Sequence, residues 1–324
     1  MLVFTKSAIQ FPQPQVLADD PRLKNIIESR SEGAADVVLV GVPFDGGIAN
    51  GGGRIGAAHG PDAFRNGLLI HGSAYNIDRD CDLTSLKIRD AGNIEFDSAD
   101  IHAVHRSVTE AIRPILNEGI TPFLVGGGHD LTFAHVRAMT ETLQGSVGGI
   151  NIDGHLDVRP TLNGQPSSGT PLRRILDELP NINSQAFVEF GAHGNLTAKE
   201  HVEYLKAKGA SLLTLNAIRE AGVERAFQRA LEIAGKADHV FISFDIDSAA
   251  QAFSPGCSAP SADGFFPADV EQMGYLAGLH PKVRMIDMLE FNPKYDIDNR
   301  TARLAISFFA HVLAGLAQRR TTQC

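Results

Sequence analysis

Short apolar runs alternate with amphipathic segments along most of this sequence. Runs such as 36–42 and 121–125 are rich in apolar, often β-branched residues, which is typical of strands buried on both faces. Between such runs, apolar residues recur at helical spacing, most clearly over 101–117, a segment that Gly119 ends. The alternation predicts a three-layer α/β fold, in which a doubly wound, mainly parallel sheet lies between two layers of helices.

The predicted elements fill the chain from residue 36 onwards. Strands are expected at 36–42, near 86–88, and at 121–125, 147–152, 186–190, 211–215, 240–244 and 283–289. Helices are expected at about 60–69, 101–117, 131–143, 198–208, 222–234, 268–279 and 300–316. Residues 1 to about 34 are polar and contain proline, so we expect an irregular N-terminal arm there. No linker or repeat interrupts the pattern, and a single domain over residues 1–324 is the simplest interpretation.

An open sheet and a TIM barrel both agree with alternating strands and helices, and the irregular first 35 residues favour the open sheet. In either architecture, functional sites lie just past the carboxyl ends of the parallel strands. Seven glycines between Gly41 and Gly56 follow the first such end, but they lack the spacing of a phosphate-binding P-loop. We therefore expect an ordered loop over the sheet edge there.

The charge balance argues against nucleic acid or an anionic membrane as a partner. The net charge is -9, from 29 basic and 38 acidic side chains, and no block of Lys and Arg stands out. No stretch approaches the roughly 18 apolar residues of a membrane helix, and the first six residues lack the apolar core of a signal peptide. Cys81, Cys257 and Cys324 form no C-x-x-C pair, which favours neither a disulfide framework nor a thiolate zinc site. We expect a cytoplasmic protein.

Potential metal ligands follow three of the predicted strands. They are His129, Asp153, His155, Asp157, Asp245 and Asp247. After the second and third of these strands the ligands stand two residues apart, so in an extended backbone they point to one side. Each group alone has an ordinary alternative as a helix cap or a turn-forming acid. Four Asp and two His at three strand ends together favour a metal site.

Six such ligands are too many for one catalytic metal that keeps an open position, and they suit two metals with one or two bridging carboxylates. Two cations about 3.5 to 4 Å apart can share a water and lower its pKa towards neutrality. A hydroxide formed in this way can attack an electrophilic carbon. Oxygen-rich ligation with two imidazoles favours Mn²⁺ over Zn²⁺ or Ca²⁺.

The three motifs resemble the metal motifs of a known superfamily. In order and spacing, Gly-Gly-Gly-His-Asp at 126–130, Asp-Gly-His-Leu-Asp at 153–157 and Ser-Phe-Asp-Ile-Asp at 243–247 are similar to those of the ureohydrolases, which include arginases, agmatinases and formimidoylglutamases. The resemblance runs from about residue 38 to 316. It implies that the six candidate ligands hold two Mn²⁺ per subunit, that the fold is a doubly wound sheet, and that the protein is a homo-oligomer, a trimer or a hexamer.

Details of the motifs resemble the formimidoylglutamase branch. Arginases and agmatinases usually carry Gly-Gly-Asp-His-Ser in place of 126–130, and Thr-Gly-Thr-Pro where this chain has Ser-Pro-Gly-Cys-Ser-Ala-Pro at 254–260. They also place a proton-shuttling histidine in the segment aligned with 167–172, and this segment contains none. Its Ser168 and Thr170 are instead expected to bind substrate.

Arg159 is the first indication of the kind of substrate. It stands two residues beyond Asp157, so an extended chain would direct it towards the same mouth. A guanidinium there would repel a cationic substrate and bind a carboxylate through two parallel hydrogen bonds, in a bidentate contact. The alternative is a surface arginine paired with an acid. Arg173 and Arg174 are weaker candidates, because adjacent arginines after a proline are usually solvated residues at a helix start.

Two further residues complete the predicted site. Glu290 ends the strand at 283–289, and in the superfamily an acid at this position contacts the amidine or guanidine group of the substrate. Its alternative is a structural acid paired with Arg300 or a helix end. His193 follows another strand end and could line the pocket and donate a proton, although a histidine in a loop more often does neither. We expect Glu290, Asp157 and His193 to be catalytic.

The resemblance implies a metal-dependent hydrolase of a C–N bond in a small amidine or guanidine substrate with carboxylate groups. The specific expectation is that N-formimidoyl-L-glutamate and water give L-glutamate and formamide, a step of histidine degradation. One alternative is a guanidine ureohydrolase that releases urea, namely a guanidino-acid hydrolase, an agmatinase or an arginase. Another is a metal-binding regulatory or structural protein without catalytic activity.

Overall fold

A central sheet runs through the computed structural model of the chain, which describes residues 4–5, 11, 20–30 and 32–321. The strands in these residues are β1 (Phe4–Thr5), β2 (Ile27–Ser29), β3 (Val37–Val42), β4 (Tyr75–Asn76), β5 (Cys81–Asp82), β6 (Ile88–Ile94), β7 (Thr121–Gly126), β8 (Val147–Ile152), β9 (Ile182–Phe190), β10 (Ser211–Leu213), β11 (His239–Asp245) and β12 (Val283–Leu289). The α-helices are α1 (Leu23–Ile26), α2 (Gly46–Asn50), α3 (Gly60–Ile70), α4 (Ile101–Asn117), α5 (Leu131–Thr142), α6 (Pro171–Glu178), α7 (Lys199–Lys208), α8 (Leu215–Ala221), α9 (Val223–Ala234), α10 (Pro267–Leu279) and α11 (Arg300–Thr321).

Ten strands form one sheet in the order β1-β6-β3-β7-β12-β11-β8-β9-β10, and β2 also pairs with β6. All of these pairings are parallel except that of β1 with β6. Apolar side chains on one face pack against α3, α9, α10 and α11, and those on the other face pack against α4, α5, α6 and α7. The predicted three-layer, doubly wound sheet is confirmed, and the open sheet rather than the barrel is correct.

The structure departs from the sequence prediction where strands carry polar residues. β6 is much longer than the short strand expected near 86–88, because the polar Asp90 within it is buried against a cation. Arg65, on α3, donates from Nε and Nη2 to the two carboxylate oxygens of Asp90 at 2.9 and 2.8 Å. A fully paired charge can be buried in this way, whereas hydrophobic periodicity does not detect it.

The N-terminal arm is not irregular throughout. Among its described residues, Leu23–Ile26 form α1 and Ile27–Ser29 form β2, which extends the sheet beside β6. Its other residues lie largely outside the described part of the chain. Helices α6 and α8 were also not predicted, since both are short and lie close to other elements.

One helix of the described chain is long and apolar enough to cross a membrane, contrary to the prediction from the sequence. An 18-residue window within Arg300–Arg320 has a mean hydropathy of 1.2, and 72% of that window is buried inside the fold. Phe308 and Phe309 of this helix pack on Phe123 of β7. Its apolar character is therefore accounted for by contacts with α10 and the sheet, as in the core helix of a globular protein.

Candidate metal centre

The predicted ligands come together where four adjacent strands at the centre of the sheet end. β7, β12, β11 and β8 lie side by side in that order, although they come from distant parts of the chain. The register places Phe244 beside Ile152, and Asp245 beside Leu289. The residues that follow each strand are consequently level with one another. This common edge is the place where open α/β sheets form their functional sites.

The first group of ligands surrounds the imidazole of His129. Its Nδ1 atom lies 2.9 Å from Oδ2 of Asp157, 3.1 Å from Oδ2 of Asp245 and 3.4 Å from Oδ2 of Asp153. One potential ligand atom from each of these four residues lies within 4.8 Å of all the others. His129, Asp153 and Asp245 are buried, while the Asp157 side chain is 13% exposed towards the pocket.

The second group adjoins the first through Asp153. Nδ1 of His155 lies 3.3 Å from Oδ1 of Asp153 and 3.4 Å from Oδ1 of Asp247. Asp153 thus presents one carboxylate oxygen to each group, which is the arrangement of a bridging ligand. The structure brings all six predicted ligands into two adjoining groups.

The donor set fits a pair of hard or borderline divalent cations. Two buried atoms that face the site, Nδ1 of His129 and Oδ1 of Asp247, lie close to other potential ligand atoms but form no hydrogen bond of acceptable geometry with the described residues. Buried polar atoms are rarely left unpaired in native proteins unless an ion or water satisfies them. Four carboxylates and two imidazoles suit Mn²⁺ by ligand type.

Burial and mutual repulsion make Asp245, Asp247 and Glu290 difficult to ionise without a cation, whereas contacts with His129 and His155 outweigh burial and lower the pKa of Asp153. Burial, together with the neighbouring Asp247, raises the pKa of Asp245 well above its usual range. Burial raises the pKa of Asp247 to about 7, even though the nearby His155 acts in the opposite direction. Burial and Asp245 likewise raise the pKa of Glu290. Incoming cations would therefore displace protons and relieve the repulsion between these groups.

The site favours the charged form of its two histidines, His129 and His155. Burial alone would lower the pKa of His129, but its contacts with Asp153 and the other acids of its group raise it well above the ordinary value. Burial also opposes the protonation of His155, and Asp247 with Asp153 outweighs it, so that its pKa is raised. Strong attraction of positive charge is thus a property of the whole site.

A buried chain of hydrogen bonds orients His129. Its Nε2 atom lies 3.1 Å from Oγ of Ser243, which in turn lies 3.0 Å from Oγ1 of Thr132. Thr132 donates to Oδ2 of Asp287 at 3.0 Å, and Nδ1 of His135 lies 2.8 Å from the same oxygen. Because Nε2 is engaged below the site, Nδ1 is left facing the acids. Second partners of this kind are what fix a metal-binding imidazole in place.

Two residues of the site have strained backbones. Asp157 and Glu290 adopt φ angles of 44° and 64°, in the left-handed region that residues with a side chain seldom occupy. The Glu290 backbone is held by its N–H, which donates to the carbonyl of Gly127 at 2.8 Å, and its Oε1 accepts from the N–H of His129 at 2.9 Å. Strain of this kind is concentrated at functional sites.

A cavity of about 120 Å³ opens onto both groups of ligands. Its lining comprises Gly51, Gly53, His155, Asp157, Arg159, Ser168, Gly169, Asp245, Asp247, Ser258, Ala259 and Glu290. Two of the predicted substrate-binding residues, Arg159 and Ser168, therefore line the pocket with Glu290. The glycine-rich stretch contains α2 and supplies one wall, and Gly47 secures it by accepting from the N–H of Ser168 at 3.0 Å.

Thr170 and His193 lie outside this lining. Thr170 is buried and its hydroxyl donates to the carbonyl of Ser167 at 2.8 Å, which supports the turn before α6. The ring of His193 contacts the carbonyl of Gly191 at 3.0 Å and Oγ of Ser261 at 3.2 Å. The structure does not bring these two side chains to the metal ligands, and their proposed roles rest on the sequence alone.

The wall formed by Ser258 and Ala259 was not predicted. Arg54 holds this segment: Nη2 donates to the carbonyl of Cys257 at 2.5 Å and Nε donates to that of Ser258 at 3.1 Å. The guanidinium also lies over the ring of Tyr295, 4.2 Å from its centre. These contacts join segments about 200 residues apart, and no local pattern in the sequence signals them.

Arg174 is also placed differently from the expectation that it is a solvated helix-start residue. It is buried, forms two hydrogen bonds of 2.9 Å with Glu178, and lies 3.6 Å from the centre of the Phe133 ring. Its Nη1 atom contacts Nδ1 of His105, whose Nε2 lies 2.7 Å from Oδ2 of Asp130. Arg174 thus belongs to a chain of contacts that supports the residue next to His129.

A doubly wound sheet whose central strand ends bring two groups of potential ligands around a shared carboxylate defines an α/β protein with the donor set of a two-metal site. The model of the Arginase family matches residues 35–315. The chain therefore belongs to the arginase family, as the resemblance of its three motifs implies.

Known proteins of this family are similar over most of the chain. A formimidoylglutamase of Aeromonas salmonicida is 32% identical over 275 residues, 83% of this chain and 83% of the relative. A crystal structure of Trypanosoma cruzi formiminoglutamase with Mn²⁺ has a TM-score of 0.88 and 37% identity, and the match covers 93% of this chain and 100% of that one. Proclavaminate amidinohydrolase of Streptomyces clavuligerus is 31% identical over 291 residues, 89% of this chain and 90% of that protein.

Proposed function

We propose that this enzyme hydrolyses the C–N bond of N-formimidoyl-L-glutamate, releasing L-glutamate and formamide in the degradation of histidine. The observation that carries the proposal is the distribution of charge in the pocket. Glu290 and the ligand acids lie at its base, whereas Arg159 lies at its exposed mouth. A substrate with a cationic amidinium at one end and carboxylates at the other matches this order of charges.

Two Mn²⁺ per subunit are the proposed cofactors. His129, Asp153, Asp157 and Asp245 would hold one, and Asp153, His155 and Asp247 the other, with Asp153 shared. Divalent cations bound there would make water acidic enough to act as a nucleophile near neutral pH. The proposal is supported by the donor set and by the Mn²⁺ in the related structure from Trypanosoma cruzi.

The side chains of the pocket would orient the substrate for attack. Oε2 of Glu290 is buried without a hydrogen-bond partner among the described residues, and it is available to an N–H group of the amidinium. Arg159 would bind a carboxylate of the glutamate portion, with Ser168 beside it. Between these two contacts the amidine carbon would lie next to the ligand carboxylates.

The reaction adds the oxygen of water to the amidine carbon and breaks the bond from that carbon to the glutamate nitrogen. Asp157 is the most exposed of the three carboxylates in the first ligand group. We propose that its carboxylate takes a proton from the attacking water and passes it to the departing nitrogen, which leaves as the amine of glutamate. The remaining carbon fragment gives up its hydroxyl proton, which the released amine takes up to become an ammonium group, and leaves as formamide.

A guanidine substrate is the second candidate, because the chain is also 31% identical to a proclavaminate amidinohydrolase. The products distinguish the two possibilities, since an amidine of formate cannot yield urea and a guanidine cannot yield formamide. We expect the Mn²⁺-loaded enzyme to release formamide from N-formimidoyl-L-glutamate and no urea from arginine, agmatine or 4-guanidinobutyrate. Separate assays for formamide and urea check this. Turnover of guanidines alone would contradict the proposal, and no turnover of either class would favour an inactive metal-binding protein.

Replacing Arg159 with alanine is expected to raise KM for N-formimidoyl-L-glutamate with little change in kcat. A hydrogen bond to a charged group contributes about 1.5 to 3 kcal/mol, which corresponds to a rise in KM of about 10- to 100-fold. Because Arg159 lies at the exposed mouth, the lower end of this range is expected. Steady-state kinetics of Arg159→Ala beside Arg225→Ala, a change at an exposed residue of α9, provide the measurement. An unchanged KM would remove Arg159 from the substrate site.

The remaining proposals follow from composition and from the family. We propose that the protein acts in the cytoplasm on a small molecule, binds neither nucleic acid nor membrane, and forms a homo-oligomer, a trimer or a hexamer. The acidic charge balance and the scattered cysteines support the first part. The resemblance to the ureohydrolases supports the oligomer.

A further inference from the structure

A fully buried carboxyl group lies behind the metal ligands and has no place in the proposed reaction. Glu189 belongs to β9 and is 0% exposed. Burial raises its pKa well above the ordinary value, and Asp153 adds to this effect. Burying an acid is costly unless it is well paired, so its presence beneath the site requires an explanation.

The partner of Glu189 is Asn151, which connects it to a metal ligand. The two residues face each other directly in the parallel pairing of β8 with β9. Nδ2 of Asn151 donates to Oε2 of Glu189 at 2.9 Å, and the same nitrogen lies 3.5 Å from Oδ2 of Asp153. Asn151 and Asp153 are two residues apart, so their side chains point to the same side of the sheet.

The direction of the Asn151 amide decides what Asp153 encounters. An amide has a nitrogen with two hydrogens to donate and an oxygen that only accepts. With Nδ2 towards the site, one hydrogen can reach Glu189 and the other Asp153. If the amide were reversed, Oδ1 would lie against the carboxylate of Asp153, and two acceptors would repel each other. Oε2 of Glu189 accepts from Nδ2 at 2.9 Å, and a carboxyl group keeps one accepting oxygen whether or not the other is protonated, so Glu189 favours the first direction.

We propose that Glu189 is a positioning residue, which fixes the direction of the Asn151 amide and through it the carboxylate of Asp153. Asp153 is the ligand shared by the two groups, so its orientation affects both metals. The inference rests on the proposed two-metal function. Partners that orient a ligand in this way typically contribute about 10- to 100-fold to metal affinity or activity.

Three variants test this inference. Glu189→Leu removes the acceptor and keeps the volume close, whereas Glu189→Gln keeps an acceptor for Asn151 Nδ2 and can also donate to the unpartnered Oδ1 of Asn151. Asn151→Ala removes the connecting amide. Glu203→Leu, a change at an exposed residue of α7, is the control for an acid replaced elsewhere. Each variant is titrated with Mn²⁺ by calorimetry, and the magnetically coupled Mn²⁺ pair is followed by electron paramagnetic resonance.

Glu189→Leu is expected to weaken Mn²⁺ binding by about 10- to 100-fold and to reduce the signal of the coupled pair. Glu189→Gln should stay within a few-fold of the unchanged protein. Glu189→Leu in the Asn151→Ala background should add little, because both changes break the same connection. The melting temperature of the metal-free variants shows whether the fold is intact.

Three results would overturn the inference. The first is normal Mn²⁺ binding by Glu189→Leu. The second is an equal loss in Glu189→Gln and Glu189→Leu, which would assign the effect to charge instead of orientation. The third is additive losses in the double variant, which would remove Asn151 as the intermediary. If the unchanged protein bound no Mn²⁺ pair, the proposed function itself would fail, and this is a different result from any of these.

Discussion

Replacing Asp245 with alanine is expected to abolish turnover and the binding of two Mn²⁺ ions. Asp245 ends β11 and lies 3.1 Å from Nδ1 of His129, so it belongs to the larger of the two ligand groups. Partners behind metal ligands contribute up to about 100-fold, and loss of a ligand itself should exceed that in kcat. Mn²⁺ stoichiometry by calorimetry and kcat by formamide release are the measurements.

The fold should survive this change. Asp245 is buried among other acids, and burial with Asp247 makes its ionisation unfavourable without a metal. Removing it also removes the cost of burying this carboxyl without a cation, which offsets the loss of its contacts with the N–H of Asp247 and with His129. The melting temperature of metal-free Asp245→Ala should therefore stay close to that of the unchanged protein. Asp97→Ala, at an exposed position, should leave metal binding and activity intact. Full turnover by Asp245→Ala would refute the two-metal mechanism.

The sequence could predict the ligands because their geometry is local. An apolar run fixes a buried strand, and alternation along the extended backbone then places Asp153, His155 and Asp157 on one side. The same reasoning applies to Asp245 and Asp247. What joins these groups is the order of the strands, and the parallel α/β pattern restricts that order enough to bring strand ends to one edge.

The walls and supports of the site could not be predicted, because they depend on contacts between distant segments. Arg54 holds Ser258 across 204 positions of the chain, and Asn151 meets Glu189 through the register of two strands. Arg174 looks like a solvated residue in the sequence, yet the ring of Phe133 and the carboxylate of Glu178 bury it. The local pattern of the sequence does not indicate which distant residues will be in contact, and the structure is needed to find them.

Glu290→Gln is expected to lower kcat by about 100- to 1,000-fold, the effect typical of removing one group that stabilises developing charge. The substitution is close in shape to the original. A glutamine oxygen can still accept from the N–H of His129, as Oε1 of Glu290 does at 2.9 Å. The substitution replaces Oε2 with an NH₂ group. This group would present hydrogen-bond donors to the amidinium where Glu290 presents negative charge. Formamide release at saturating substrate is the measurement.

Metal binding separates this result from the loss of a ligand. Glu290 lines the pocket but belongs to neither group of potential ligands, so Glu290→Gln should bind two Mn²⁺ within a few-fold of the unchanged protein. Glu220→Gln, which alters an exposed acid of α8, should change kcat far less. If Glu290→Gln kept normal kcat, the buried acid would be structural, and its left-handed backbone would serve only the turn after β12. If it lost Mn²⁺ as well as activity, Glu290 would act on the metals and not on the amidinium. The proposed substrate would then lack the negative group that is expected to bind its amidinium.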